Sequence, residues 1–223
     1  MTEKVYDYAI DVIFCVDLTS DMHWLLEQFQ ENCLAMLETI SATVETVKGP
    51  VKKLRAKIIG FRDFVDAQNA LMETKFYELP AERSDLLRML QSLEPKGGGD
   101  RPENSLEAVA LALKADWTQE GSFRRHVICV LTNAPPVELG ERKNYPDYPS
   151  GMPENLEELS SWYQQGTGKL DLRGKRMILF APDDGIWEAI SQQWDRCLHI
   201  QLGHNEPIEH HIDQIGAFVC ANV

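Results

Sequence analysis

The chain has 223 residues, of which 43% are hydrophobic and 26% charged. That balance fits a folded protein with a sizeable core and excludes a disordered chain, a collagen-like repeat and a disulfide-stapled miniprotein. Its 22 basic and 35 acidic residues leave a formal net charge of −13, which argues against general nucleic-acid binding and an anionic membrane surface and suits a cation or a basic partner.

The opening MTEKVYDYAID holds acids and no apolar core, so it does not read as a signal peptide. Tyr8 to Val16 reads as a strand buried on both faces. The polar cluster Asp17 to Asp21 follows, then a helical pattern from Met22 to Val47. Its stripe is Leu25, Phe29, Cys33, Met36 and Ile40, stopped by Gly49-Pro50. Leu54 to Phe64 reads as a second strand and Lys75 to Leu79 as a short antiparallel neighbour. Ser84 to Leu93 is predicted helical with Ser84 as N-cap. A glycine loop, Gly97 to Asn104, opens onto a helix from Ser105 to Trp117. Arg125 to Thr132 is a buried strand. Residues 135–153 carry five of the eleven prolines and read as a long loop. Asn155 to Gln165 is predicted helical, Arg176 to Ala181 a strand, Ile186 to Trp194 a helix, Leu198 to Leu202 a strand, and the segment from Ile208 onward a closing helix.

Strands alternating with helices predict one α/β domain over residues 1–223. The expected core is a doubly wound, mostly parallel open sheet of about six strands, with one antiparallel edge strand and flanking helices. No apolar run approaches the length of a membrane span. The five cysteines (Cys15, Cys33, Cys129, Cys197 and Cys220) form no CxxC pair and read as free thiols, which points to a reducing cytoplasm. No HExxH or similar histidine pair suggests zinc.

In such sheets ligands bind beyond the carboxyl ends of the strands. Asp17, Thr19, Ser20 and Asp21 follow the first strand; Arg62, Asp63 and Asp66 follow the second. Asp100 lies in the glycine loop, Thr132 and Asn133 follow the RHVICVLT strand, and Asp183 and Asp184 follow RMILFA. Carboxylates and hydroxyls are hard ligands suited to Mg²⁺, or to Mn²⁺ or Ca²⁺. In Asp17-x-Thr19-x-Asp21, alternate side chains of one loop can converge on a point, and glycines at 97 to 99 let a second loop approach it.

These residues resemble the von Willebrand factor A (VWA) family and its metal-ion-dependent adhesion site. Phe14-Cys-Val-Asp17-Leu-Thr19-Ser-Asp21 resembles the D-x-S-x-S motif, with Asp21 for the second Ser. Gly98-Gly-Asp100-Arg-Pro-Glu-Asn104 is similar to the G-G-D-x-P-E form of intracellular members. Thr132-Asn133-Ala-Pro-Pro136 is similar to D-A-P-P, with Asn133 for the Asp, and Phe61-Arg-Asp63 is similar to Y-R-D. The resemblance implies a divalent cation held by Asp17, Thr19, Asp21, Asp100 and Asn133. It also implies a non-enzymatic module that binds a protein partner, in the manner of stand-alone members of bacterial stress or conflict systems.

Other readings of the same residues stand beside it. Asp17 to Asp21 would also cap the long helix. Asp63 suits an ion pair with Arg62 or a neighbouring base, and the Tyr145 to Pro149 loop suits partner contacts. An acid after the first strand, with Lys169 or Lys175 before Asp183-Asp184, is also the layout of a Mg²⁺-dependent haloacid-dehalogenase-like phosphatase. Asn133 also fits a metal-free, degenerate VWA scaffold.

Overall fold

A computed structural model describes residues 6–65, 70–98, 102–183, 185–201 and 207–221. In chain order, β1 (Tyr8–Asp17) leads into α1 (His23–Val47), then β2 (Val51–Phe61), β3 (Leu71–Glu73), β4 (Tyr77–Leu79) and α2 (Arg83–Gln91). The second half runs α3 (Ser105–Leu113), β5 (Phe123–Leu131), α4 (Leu156–Gln165), β6 (Lys175–Phe180), α5 (Gly185–Gln193), β7 (Cys197–Ile200) and α6 (Ile212–Cys220).

β1 is buried from end to end because it lies mid-sheet, parallel to β2 on one side and β5 on the other. Its side chains alternate between the two faces, as the pleat requires. Ile10, Val12, Phe14 and Val16 pack with α1, α2 and α6, while Ile13 and Cys15 pack with α3, α4 and α5. The whole predicted stripe of α1 is buried on the first face, where the Phe14 and Phe29 rings sit 5.0 Å apart. β6 and β7 extend the parallel sheet beyond β5.

The described strands number seven, in the order β3-β2-β1-β5-β6-β7, with β4 also on β2. The antiparallel edge is thus one position filled by two short pieces, the first of which the sequence did not mark. Between the Ile59–Glu73 and Ala56–Tyr77 pairs, three edge residues oppose two of β2. Thr74 bridges this bulge: its N–H donates to the Ile58 carbonyl, and its Oγ1 accepts from the Ile58 N–H.

Three expected boundaries move. β2 begins and ends three residues early, so Arg62 and Asp63 leave the strand at the carboxyl edge of the sheet. α3 stops at Leu113; Trp117 folds back so that its indole N–H donates to the Ala112 carbonyl in the last turn, which also accepts from the Ala115 N–H. α2 starts at Arg83, and no side chain caps it, so Ser84 is not its N-cap. Among the described residues no helix is long and apolar enough to cross a membrane. All five cysteines are free, and Cys15, Cys33, Cys129 and Cys220 are buried.

Candidate functional site

β1 connects onward to β2 on one side, while β5 lies on its other side, so the strand order reverses between β1 and β5. Crevices of open α/β sheets form at such reversals. Asp17 ends β1 at that point, and Thr132 directly follows β5.

Asp17 is fully buried. Its Oδ1 accepts from the Thr19 backbone N–H at 2.9 Å and the Thr19 hydroxyl at 2.7 Å. Its Oδ2 accepts from the Thr132 hydroxyl at 2.8 Å, across the β1–β5 boundary. Burial raises the Asp17 carboxyl above its ordinary value, against the lowering effect of these hydrogen bonds and of Arg62. Each hydroxyl spends its proton on Asp17, and Thr132 Oγ1 also accepts from the Ala134 N–H at 3.1 Å, so two buried hydroxyl oxygens stand beside a buried carboxylate, each with acceptor capacity left.

The glycine loop closes on this cluster. The Lys96 N–H donates to the Leu18 carbonyl, and the Ser20 N–H to the Gly97 carbonyl, both at 2.9 Å. Gly97 and Gly98 hold φ of 73° and 75°, the left-handed region that favours glycine. A β-carbon on Gly98 would stand 2.8 Å from the Thr19 Cβ and 3.5 Å from Glu103 Oε1. Arg62 staples the loop from below: its Nε donates to the Leu18 and Lys96 carbonyls and its Nη2 to the Glu94 carbonyl. Burial lowers the Arg62 guanidinium from its ordinary value, while the charges of Asp17 and Glu103 oppose that shift.

The other expected site residues divide. The Asp21 carboxylate is exposed, although the Asn133 Nδ2 holds the Asp21 carbonyl at 3.1 Å. Thr132, rather than Asn133, reaches Asp17. Asp100, Asp66 and Asp184 lie outside the described residues. Neither the turn at 20–22 nor α1 is capped by a side chain, so the cluster does not serve as a helix cap. Asp63 forms an ion pair, and its base is Arg142 in the long loop, at 3.1 and 3.2 Å. Tyr145 is exposed, whereas Tyr148 turns inward and donates to Glu107.

Glu103 belongs to the quoted glycine-loop motif, but sequence reasoning gave it no place among the site residues. It is 2% exposed, and its backbone ties the start of α3 to Pro135 and Val137. The Pro-Glu pair reads as an ordinary helix start, so nothing local marks a buried acid. Lys169 pairs with Asp116, and Lys175 opens β6, where it is buried against the Tyr163 carbonyl and Asp195. Lys175 thus sits at the end of the sheet opposite Asp17.

Hard oxygens around a buried carboxylate match the needs of Mg²⁺, Mn²⁺ or Ca²⁺. Among the described residues no three His, Cys, Asp or Glu side chains stand close enough together to hold an ion.

No protein-family model matches the sequence, and no curated protein matches it. Solved structures do share its fold. A substitution variant of the PilB minor pilin from Streptococcus sanguinis aligns at a TM-score of 0.59 and 11% identity, over 99% of this chain and 62% of that one. The pilus adhesin SpaC from Lactobacillus rhamnosus GG, in its open conformation, aligns at 0.54 and 13% identity, over 95% of this chain and 30% of that one. The vWF domain of the type V pili tip protein Mfa5 from Porphyromonas gingivalis covers 60% of this chain and 40% of that one at 14% identity, with a TM-score of 0.40, and adds nothing to the fold argument. The chain thus spans less than two thirds of the length of each. At these identities the likeness extends to the fold alone.

Proposed function

We propose that this chain is a non-enzymatic protein-interaction module of the VWA type, engaging a partner protein through a divalent cation at the carboxyl edge of its sheet. The observation that carries this reading is the Asp17 carboxylate, buried at the strand-order reversal and gripped by the Thr19 and Thr132 hydroxyls. Thr132 of the third motif bonds Asp17 and Gly98 of the second lies against Thr19, and a pilus adhesin shares the fold. Asp17, Thr19 and Thr132 would hold Mg²⁺, Mn²⁺ or Ca²⁺, with Asp21, Asn133 and Asp100 as the further candidates. A bound cation supplies an electrophilic position for a partner's oxygen ligand. The chain's own residues keep the carboxylate dry and both hydroxyls turned toward it. Lys175, which a phosphatase would need near Asp17, is committed at the other end of the sheet. The free thiols support a reducing compartment.

The test is a thermal melt of EDTA-stripped protein with and without each ion, alongside Asp17→Ala and the isosteric Asp17→Asn. A free metal concentration 100-fold above Kd adds about 2.7 kcal/mol. For a chain of this size that raises Tm by about 5–10 °C. The rise is expected in the wild type and lost in both variants. No shift with any ion sinks the cation and favours the metal-free scaffold.

A further inference from the structure

Beyond Thr132, on the side away from the glycine loop, a cavity of about 510 Å³ opens at the carboxyl ends of β5 and β6. α1 supplies one wall with Trp24 and Leu25, and Phe180 and Pro182 supply the other. Asp21 and Asp183 also line it, and both are exposed to solvent. No Lys, Arg or His stands among its described lining residues. His199 approaches the same segment only behind it, with Nε2 3.0 Å from the Ala181 carbonyl.

Both charged groups at the cavity are carboxylates, while the Gln201 amide and the Trp24 indole bring N–H donors. The Asp21 and Asp183 carboxylates accept only. The Asn133 Nδ2 spends one of its two N–H groups on the Asp21 carbonyl and its Oδ1 is an acceptor, while the Thr132 hydroxyl spends its proton on Asp17 and accepts from the Ala134 N–H. A space with apolar walls, two carboxylates and acceptor oxygens calls for a ligand that is rich in donors, positively charged and weakly hydrated. Guanidinium meets all three requirements: it has five donors, no acceptor, and a planar face that tolerates aromatic and apolar walls. A strongly hydrated ammonium meets the third poorly.

We propose that this cavity receives the arginine side chain of a partner protein, its guanidinium between Asp21 and Asp183. The proposal rests on the reading that this edge of the sheet meets a protein partner, but it does not require the cation. The net charge of −13 favours approach of such a basic partner.

The probe is Nα-acetyl-arginine methylamide, titrated into isotope-labelled full chain in EDTA and followed by NMR. The citrulline analogue, of the same shape without charge, and the lysine analogue are run beside it. Arginine is expected to shift the Asn133 and Gln201 side-chain amides and the Trp24 indole N–H at millimolar concentration. Citrulline leaves them in place, and lysine binds more weakly. Asp183→Asn, at an exposed position outside the proposed cation ligands, is expected to weaken arginine at least about threefold with an unchanged melt. Equal shifts with citrulline, lysine binding as tightly as arginine, or unchanged affinity in Asp183→Asn each overturns the proposal. Because the titration runs without metal, the two readings fail separately. Arginine shifts with no metal effect on the melt keep the cavity and lose the cation; a metal-dependent melt with unmoved amides does the reverse.

Discussion

Gly98 is the tightest point of the candidate site. Its φ of 75° disfavours any L side chain, and an added β-carbon would meet the Thr19 Cβ at 2.8 Å. Relief requires the glycine loop to move away from Thr19, which also pulls on the Ser20–Gly97 hydrogen bond. Gly98→Ala is therefore expected to cost about 1–3 kcal/mol in denaturant unfolding and to shrink any metal-dependent rise in Tm. A variant with wild-type stability and wild-type metal response would show that the close approach is unimportant. Asp17 and Thr19 were legible because their signal is local: an acid and a hydroxyl at alternate positions just past a continuously apolar strand. Glu103 and Arg62 could be named from their motifs, but their packing roles could not be read. Their significance comes from burial beside Thr19 and Leu18, residues more than forty positions away in sequence.

At the scale of elements, the proline-rich loop is held down by a buried polar network. Arg142 grips Asp63 with two donors, and Tyr148 donates to Glu107 at 3.1 Å while its ring packs on Phe64. Asn104 bridges the parts: its Oδ1 accepts from the Phe64 N–H, and its Nδ2 donates to Glu107. Burial raises the Glu107 carboxyl, and the Asn104 and Tyr148 hydrogen bonds pull it back. Asp63→Asn leaves a mostly buried guanidinium with only the exposed Glu141 as its charge partner, so a loss of about 1–3 kcal/mol is expected. Cleavage within 135–153 by a protease should become faster in the same variant. Unchanged proteolysis would mean that the loop is anchored elsewhere. A lone acid in the apolar helix SLEAVALAL was the available sign that Glu107 has a partner. The partner's identity was beyond reach, because Tyr148 lies 41 residues further on.

For the molecule as a whole, His126 couples three segments. Its Nε2 donates to the Thr118 carbonyl at 3.2 Å, its Nδ1 accepts from the Asp171 N–H at 3.0 Å, and its ring stacks on Trp117. Both nitrogens are used by the neutral ring, and burial, against the opposing charges of Asp11 and Asp171, lowers its pKa from 6.5 to about 4. The unfolded chain takes up this proton as pH falls through 6.5, while the folded chain resists until about 4. Stability from this group is thus complete above pH 6.5 and lost toward pH 4, by on the order of 3 kcal/mol. Unfolding free energies at pH 7 and pH 4.5 should differ more for the wild type than for His126→Gln. An NMR titration showing His126 charged near pH 6.5 would contradict this account.

Periodicity is a property of neighbouring residues, so the sequence alone determined the order and kind of most elements. It determined the two-faced burial of β1, the α1 stripe and the polar residues delivered to one edge of the sheet. Tertiary structure decided the rest. It broke the edge strand at Thr74, ended α3 early by folding Trp117 back, paired Asp63 with Arg142 rather than Arg62, and brought Thr132 rather than Asn133 to Asp17. Each outcome depends on the register and distance between segments far apart in the chain. Buried polar groups must be satisfied by whatever partner the packing brings within reach, and no local pattern specifies that partner.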